Sequence, residues 1–446
     1  GGQVEPEWMQ RVATTRTSRL PNGMQVVSEK TFGMSATVGV FVNAGSVYEN
    51  ARTNGVAHFL EHMAFKGTRR RTQRQIEVEV ENMGATINAF TSREQTAFVA
   101  HALKDRVRDV LDIVADLLQH SVLTERAVEY ERQVILQEND EVNAKSEEYV
   151  FDLLHDLAFR GSSLGYTILG PVDNIRGLRR EDLVDYIKTH YTGDRMTLVG
   201  VGAVEHEDLV RTAEDLFTHI EPVSPHTASD EAPEWSGSMV RVPDPAMDVT
   251  HLVVAMEGLR GAHPDLFALN IANMMMGNWD RQVGAGNTTS PLCEAMAEGE
   301  LGHQLSSFNS VYRTTGMIGV YAIAHSEKAD RVVEEIFRQF HYLATEVSDE
   351  DILRAKEKFK AVSLMQCDGT TPTCEEIGRQ MLVYGRRMSP AEMLLRTDAI
   401  QPDDVRRVAR ACLTHQPPAV VAMGNLDHVP SYDRFLQLSG VQPSTV

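Results

Sequence analysis

Apolar positions recur along this chain at two spacings, and the elements they predict come in pairs. From Gly55 to Lys66, Val56, Phe59, Leu60 and Met63 fall at helical intervals. Thr53 or Asn54 is placed to cap the start, and Lys66-Gly67 reads as the end. Thr124 to about Phe159 lacks Pro and Gly and reads as a second, long, acidic helix. Short apolar runs predict strands at Ala36–Val42, Thr96–Ala100, Leu198–Gly202, His251–Met256 and Val420–Gly424. Asp265 to Met276 predicts a further helix, apolar nearly all round, whose Met274-Met275-Met276 run reads as core packing.

These elements repeat. A strand, a glycine turn and a helix begin each half; Asn88–Ser92 in the first corresponds to Ser307–Ser310 in the second. Phe90 and Phe308 lie 218 positions apart, and Gly202 and Gly424 lie 222 apart. Offsets so nearly constant predict a duplicated domain. Glu221 to Trp235, rich in Pro, Ser and acid, reads as the connection. The expected organisation is therefore 1–220, a linker at 221–235, and 236–446. Strands and helices mix without regular β-α-β alternation, so the expected class is α+β.

Composition narrows the function. Lys and Arg number 43 against 63 Asp and Glu, a net charge of −20, which disfavours nucleic acid and anionic membrane surfaces and favours basic partners. The four cysteines, Cys293, Cys367, Cys374 and Cys412, form no C-x-x-C pair and suit a reducing compartment. No apolar run reaches the roughly 18–20 residues of a membrane span. The N-terminus shows neither an initiating Met nor a signal-peptide core and reads as already processed.

The chemistry centres on His58-Phe59-Leu60-Glu61-His62. Residues four apart share a helix face, so both imidazoles can grip one metal ion, while Glu61 is displaced round the same side as a proton acceptor. This is the inverted H-x-x-E-H order. A catalytic zinc site needs a third protein ligand, and the acidic stretch after Thr124 is where to seek it. Glu131 and Glu138 sit two turns apart there with Val134 and Ile135 between them; most of the remaining acids read as a solvated surface. Glu148 and Asp152, four apart, are spaced to hold one guanidinium. Asn88, Ala89 and Phe90 precede a strand-like run, and an extended peptide can add to such an edge through main-chain hydrogen bonds.

Three segments, GVAHFLEHMAFKGT from Gly55, GATINAFTSREQT from Gly84 and DGTTPTCEEIGRQMLVYGRR from Asp368, resemble the pitrilysin-like inverzincin metallopeptidases, in their mitochondrial processing-peptidase β-type branch. That lineage includes core subunits of respiratory complex III, and the resemblance runs from about Thr15 to Asp427. It implies two homologous domains, each a largely antiparallel sheet flanked by helices. It implies one zinc ion per chain on His58, His62 and Glu138, with Glu61 as base and Glu131 in support. It further implies that Glu148 and Asp152 receive an arginine two residues before the cut, that Phe65 contacts the residue after it, and that Asn88 to Phe90 bind the peptide. The implied substrates are basic, Arg-containing presequences. The implied partner is an α-type subunit bearing a long glycine-rich loop, for which Gly284-Ala285-Gly286-Asn287 here is too short. The implied location is the mitochondrial matrix, or the matrix face of the inner membrane among other complex III subunits. A purely structural core subunit is the competing reading, and retention of His58, Glu61, His62 and Glu138 speaks against it. A bacterial-type peptidase of the same fold fits the Asp368–Arg387 segment less well.

Overall fold

The computed structural model describes residues 14–225, 231–283 and 290–442. It contains two compact units, each built on a six-stranded sheet. In the first, β1 (Thr15–Arg19), β2 (Gln25–Lys30), β3 (Ser35–Val42), β4 (Thr86–Thr91), β5 (Thr96–Leu103) and β6 (Met196–Gly202) lie in the order β1-β2-β6-β3-β5-β4. In the second, β7 (Met239–Pro243), β8 (Val249–Glu257), β9 (Asn278–Asp280), β10 (Gly302–Val311), β11 (Gly316–His325) and β12 (Ala419–Gly424) follow β7-β12-β8-β11-β10-β9. Each sheet is antiparallel apart from one parallel pair, β2 with β6 and β7 with β12. The duplication extends to single residues. Gly202 and Gly424 both end a strand with φ of +109° and +115°, and a Cβ there would lie 2.6 Å from Ser35 O and 2.3 Å from Val249 O. Only glycine satisfies both the left-handed backbone and the close approach.

The first sheet is covered on both faces, which explains its unbroken apolar strands. Val38, Val40 and Val42 of β3 point toward α1 (Val56–Ala64) and α3 (Val107–His120), joining Phe59, Leu60, Met63, Leu111 and Val114 in one core. α2 (Gln73–Asn82) adds Ile76 beside Ile113 and Leu117. On the opposite face Phe41, Val99 and Val199 meet Cys374, Ile377 and Met381 of the helix Thr370–Tyr384. That helix approaches so closely that a Cβ on Gly378 would sit 2.4 Å from ring carbons of Phe41.

The units depart from the halves expected at 1–220 and 236–446 in one respect. Each half keeps its sheet but contributes a helical segment to the other unit: Leu364–Glu392 belongs with the first and Glu141–Gly165 with the second. The long helix expected from Thr124 to Phe159 is correspondingly two, α4 (Glu125–Ala144) and α5 (Ser146–Ala158). The break falls at Lys145, which takes extended angles (φ −89°, ψ 104°) close to where the chain passes between units. Glu147 and Glu148 then occupy the first turn of α5, where carboxylates complement the new helix N-terminus, and Lys145 Nζ lies 3.0 Å from Glu148. The expected linker 221–235 holds no helix or strand among its described residues, and 226–230 lie outside them. No helix among the described residues is long and apolar enough to cross a membrane.

Candidate active site

α1 spans nine residues, and burial of Val56, Ala57, Phe59, Leu60, Met63 and Ala64 fixes its orientation. Full burial of a side chain such as Phe59 or Leu60 stabilises by about 1.5–3 kcal/mol. Its N-terminus is not capped by Thr53 or Asn54 as expected. Gly55 holds that position at φ +103°, and no side chain of its own is available to cap. Glu49 acts instead. Its carboxylate, 7% exposed, accepts from the backbone N–H of Gly55 and of Ala57 and from Asn54 Nδ2, each at 2.8 Å. Burial pushes Glu49 up to about 7, with the Ala57 N–H, Asn54 and the Gly55 N–H pulling the other way. Two glycines make room beside it: a Cβ on Gly55 would lie 2.6 Å from Leu169 O, and one on Gly170 would lie 2.4 Å from Asn54 O. Glu49→Ala is expected to destabilise the chain by about 1–3 kcal/mol, because it leaves buried donors without an acceptor. Denaturant unfolding reads this, and an unchanged midpoint would refute it.

His58 and His62 emerge one turn apart on α1, ring centroids 4.7 Å from each other. α4 brings Glu138 against them, its Oε2 at 3.0 Å from His62 Nε2 and 3.7 Å from His58 Nε2. One ligand atom from each of the three lies within 4.8 Å of the others, the one such group of His, Cys, Asp or Glu among the described residues. α4 is seated by buried Val128 and Ile135 and by Arg132. The Arg132 guanidinium stands 5.6 Å from the centroid of the Phe59 ring and donates to the carbonyls of Ile175 and Leu178. Two turns before Glu138, Glu131 is 1% exposed and places Oε2 3.4 Å from His62 Nδ1. Lys66 Nζ forms an ion pair with its other oxygen at 2.6 Å. Holding Nδ1 directs Nε2 of His62 toward Glu138, the arrangement that orients metal-binding histidines.

Charge states follow from these surroundings. Burial lowers His58 to about 4, His62 adding to the effect and Glu138 opposing it, so the imidazole is neutral near pH 7 with a lone pair to donate. Burial also lowers His62, but Glu138 and Glu131 outweigh it and the net shift is upward. Glu61, half-buried on the same helix, is raised chiefly by burial; Thr91 and His62 counteract and Glu138 reinforces. A carboxylate shifted up toward the working pH is suited to accept and return a proton.

The remaining expected residues are placed unequally. Asn88, Ala89 and Phe90 lie on β4, the end strand of the first sheet, where Asn88 is exposed and Ala89 faces the core containing α1. β4 pairs with β5, and no strand among the described residues pairs with its other edge. Phe65 follows α1 and packs partly against two apolar clusters of the first unit. Glu148, exposed, and Asp152, half-buried, belong to α5 and thus to the second unit, not to the helix that carries Glu138. In that unit the counterpart of α1, Leu266–Met276, carries no His, Asp or Glu, and Met276 is buried with Met275 packed against the core. The short glycine segment at 284–287 lies outside the described residues. Sequence reasoning missed Glu49, whose capping role depends on a turn folded back over α1, and it read Lys66 only as a helix-ending cation.

Comparison with known proteins gives the family. Residues 25–172 match the profile of Insulinase (Peptidase family M16), and residues 177–359 match that of the Peptidase M16 inactive domain. The chain is 42% identical over 435 residues to the mitochondrial-processing peptidase subunit beta of Dictyostelium discoideum, covering 96% of this chain and 93% of that one. It is 42% identical over 437 residues to the protein of the same name from Bos taurus, covering 97% and 89%. A chain of complex III2 from Candida albicans, solved with Inz-5 bound, shares the fold at a TM-score of 0.85 and 20% identity, over 95% of this chain and 99% of that one. The converged His58, His62 and Glu138 fall in the first matched segment and the ligand-free counterpart helix in the second, and the chain belongs to peptidase family M16.

Proposed function

We propose that this chain is the metal-bearing, β-type subunit of a zinc endopeptidase that removes basic presequences from proteins imported into mitochondria. Its relatives are named subunit beta of such a peptidase, and we infer that it works with an α-type partner. The setting is the matrix, or the matrix face of the inner membrane as part of complex III. The observation that carries the catalytic reading is the convergence of His58 and His62 of α1 with Glu138 of α4, Glu61 standing between the two histidines on α1.

The donor set fits zinc. Two neutral-capable imidazoles and one carboxylate are what a catalytic zinc site takes from the protein, and buried His58 Nδ1 lacks a hydrogen-bond partner while its Nε2 faces Glu138. When bound there, zinc supplies Lewis acidity, acidifying water and polarising a scissile carbonyl. The chain's own groups do the rest. Glu61 takes the proton of the attacking water and delivers it to the leaving amine. Glu131 holds His62 by Nδ1. The free edge of β4, from Asn88 through Ala89 and Phe90, receives the peptide in extended form beside α1, and Phe65 meets the residue after the cut.

Glu148 and Asp152 are assigned to the arginine before the cut. In the peptidase assembled with its α-type partner, Glu148→Gln with Asp152→Asn is expected to lower kcat/KM for an Arg-containing presequence peptide by about 10–100-fold, the worth of charge-assisted hydrogen bonds, and to spare a peptide with that arginine replaced. Equal losses on both peptides would remove the arginine pocket. Failure of the zinc-loaded parent to cleave any presequence peptide would remove the function itself.

A further inference from the structure

We propose that Lys66 is a positioning residue of the metal centre, holding His62 in place through Glu131. This rests on the zinc reading above. Lys66 lies four residues after His62, just beyond the end of α1. Its backbone N–H donates to Met63 O at 3.1 Å, and Gly67 then turns the chain at φ +115°. The next residues are tied down: Val122 N–H donates to Gly67 O at 3.2 Å, and Thr68 bridges to Ser121. The Lys66 side chain therefore leaves a backbone that is tied down on both sides.

Glu131 meets it there, and the two carboxylate oxygens divide their work. Oε1 faces Lys66 Nζ at 2.6 Å and Oε2 faces His62 Nδ1 at 3.4 Å. One carboxylate thus clamps two side chains one helical turn apart. At 1% exposure Glu131 has no solvent to neutralise it, and a buried carboxylate needs a cation beside it to stay in place. Lys66 provides that charge. Without it the carboxylate is drawn toward other donors or the surface, His62 loses its anchor at Nδ1, and Nε2 is no longer held toward Glu138. Loss of such an outer support typically costs about 10–100-fold in metal affinity.

The test is zinc titration of the full chain against a competing chromophoric chelator, with thermal unfolding recorded on each variant. Lys66→Met is expected to weaken zinc binding by about 10–100-fold, and Lys66→Arg, which restores the cation, to stay within a few-fold of the parent. In a Glu131→Gln background Lys66→Met should cost nothing further, because its action passes through that carboxylate. Parental affinity in Lys66→Met, or an equal loss with and without Glu131, would overturn the proposal. A general structural role would lower the melting temperature of Lys66→Met in both backgrounds alike, which also counts against it. A parent chain that takes up no zinc would overturn the metal reading and this inference together, whereas zinc uptake by the parent with Lys66→Met unaffected would overturn the inference alone.

Discussion

Glu61→Gln, in the chain assembled with its α-type partner, is expected to lower kcat for a presequence peptide by about 10²–10⁴-fold while leaving the zinc content unchanged. The separation of the two effects follows from the site. The three side chains that converge to ligand distance are His58, His62 and Glu138, and Glu61 is not among them. Gln keeps the shape and half-buried packing of Glu61 but cannot accept and return a proton at neutral pH. KM should change little, since the substituted group acts on water rather than on the peptide. Turnover near the parental rate would remove Glu61 as the base, and loss of zinc would place it among the ligands.

Glu138→Gln is expected to fail one step earlier. The amide is a far weaker ligand than the carboxylate, and His58 and His62 alone leave a catalytic zinc site one protein ligand short. Zinc affinity should fall by more than the about 10–100-fold typical of losing an outer support, and cleavage should fall with it. The fold should persist: α4 is seated by Val128, Ile135 and Arg132, not by Glu138, which is partly exposed. Metal analysis after gel filtration and circular dichroism on the same sample separate the two. A full complement of zinc in Glu138→Gln would show that this carboxylate is not a ligand.

Local order was the legible part of this chain. His58, Glu61 and His62 are brought together by one turn of helix, so spacing alone places them. Glu138 is 76 residues from His62, and only resemblance to a family pointed to it; α-helical periodicity relates it to Glu131 but not to α1. The strand runs and the matched Gly202 and Gly424 were readable because a strand end with positive φ admits little but glycine. Three features were not readable. Apolar stripes on Ser146–Ala158 and Thr370–Tyr384 announce that each helix buries a face, but not which sheet that face covers, so the exchange of segments between the units stayed hidden. The break at Lys145 carries no Pro or Gly to announce it. Glu49 caps a helix that starts seven residues later, through a turn whose shape depends on the crossing of Gly55 and Gly170.

The second unit sharpens the assignment of chemistry to the first. Its counterpart of α1 buries Leu266, Ala268, Leu269, Ile271, Ala272 and Met276 without any His, Asp or Glu, and Asn309 donates to Asn270 at 2.8 Å. Folding of the duplicated unit therefore does not require the histidines or the glutamates. On the proposed function, their presence in α1 and α4 answers to chemistry rather than to packing, as expected where polar groups are held in a largely apolar setting.

The central claim, that one metal ion on His58, His62 and Glu138 makes this chain a peptidase, is tested most directly by removing and restoring that ion. Presequence cleavage by the assembled wild-type enzyme should vanish on dialysis against a chelator and return when about one zinc per chain is added back. Undiminished cleavage by a chain shown to be free of metal would contradict it.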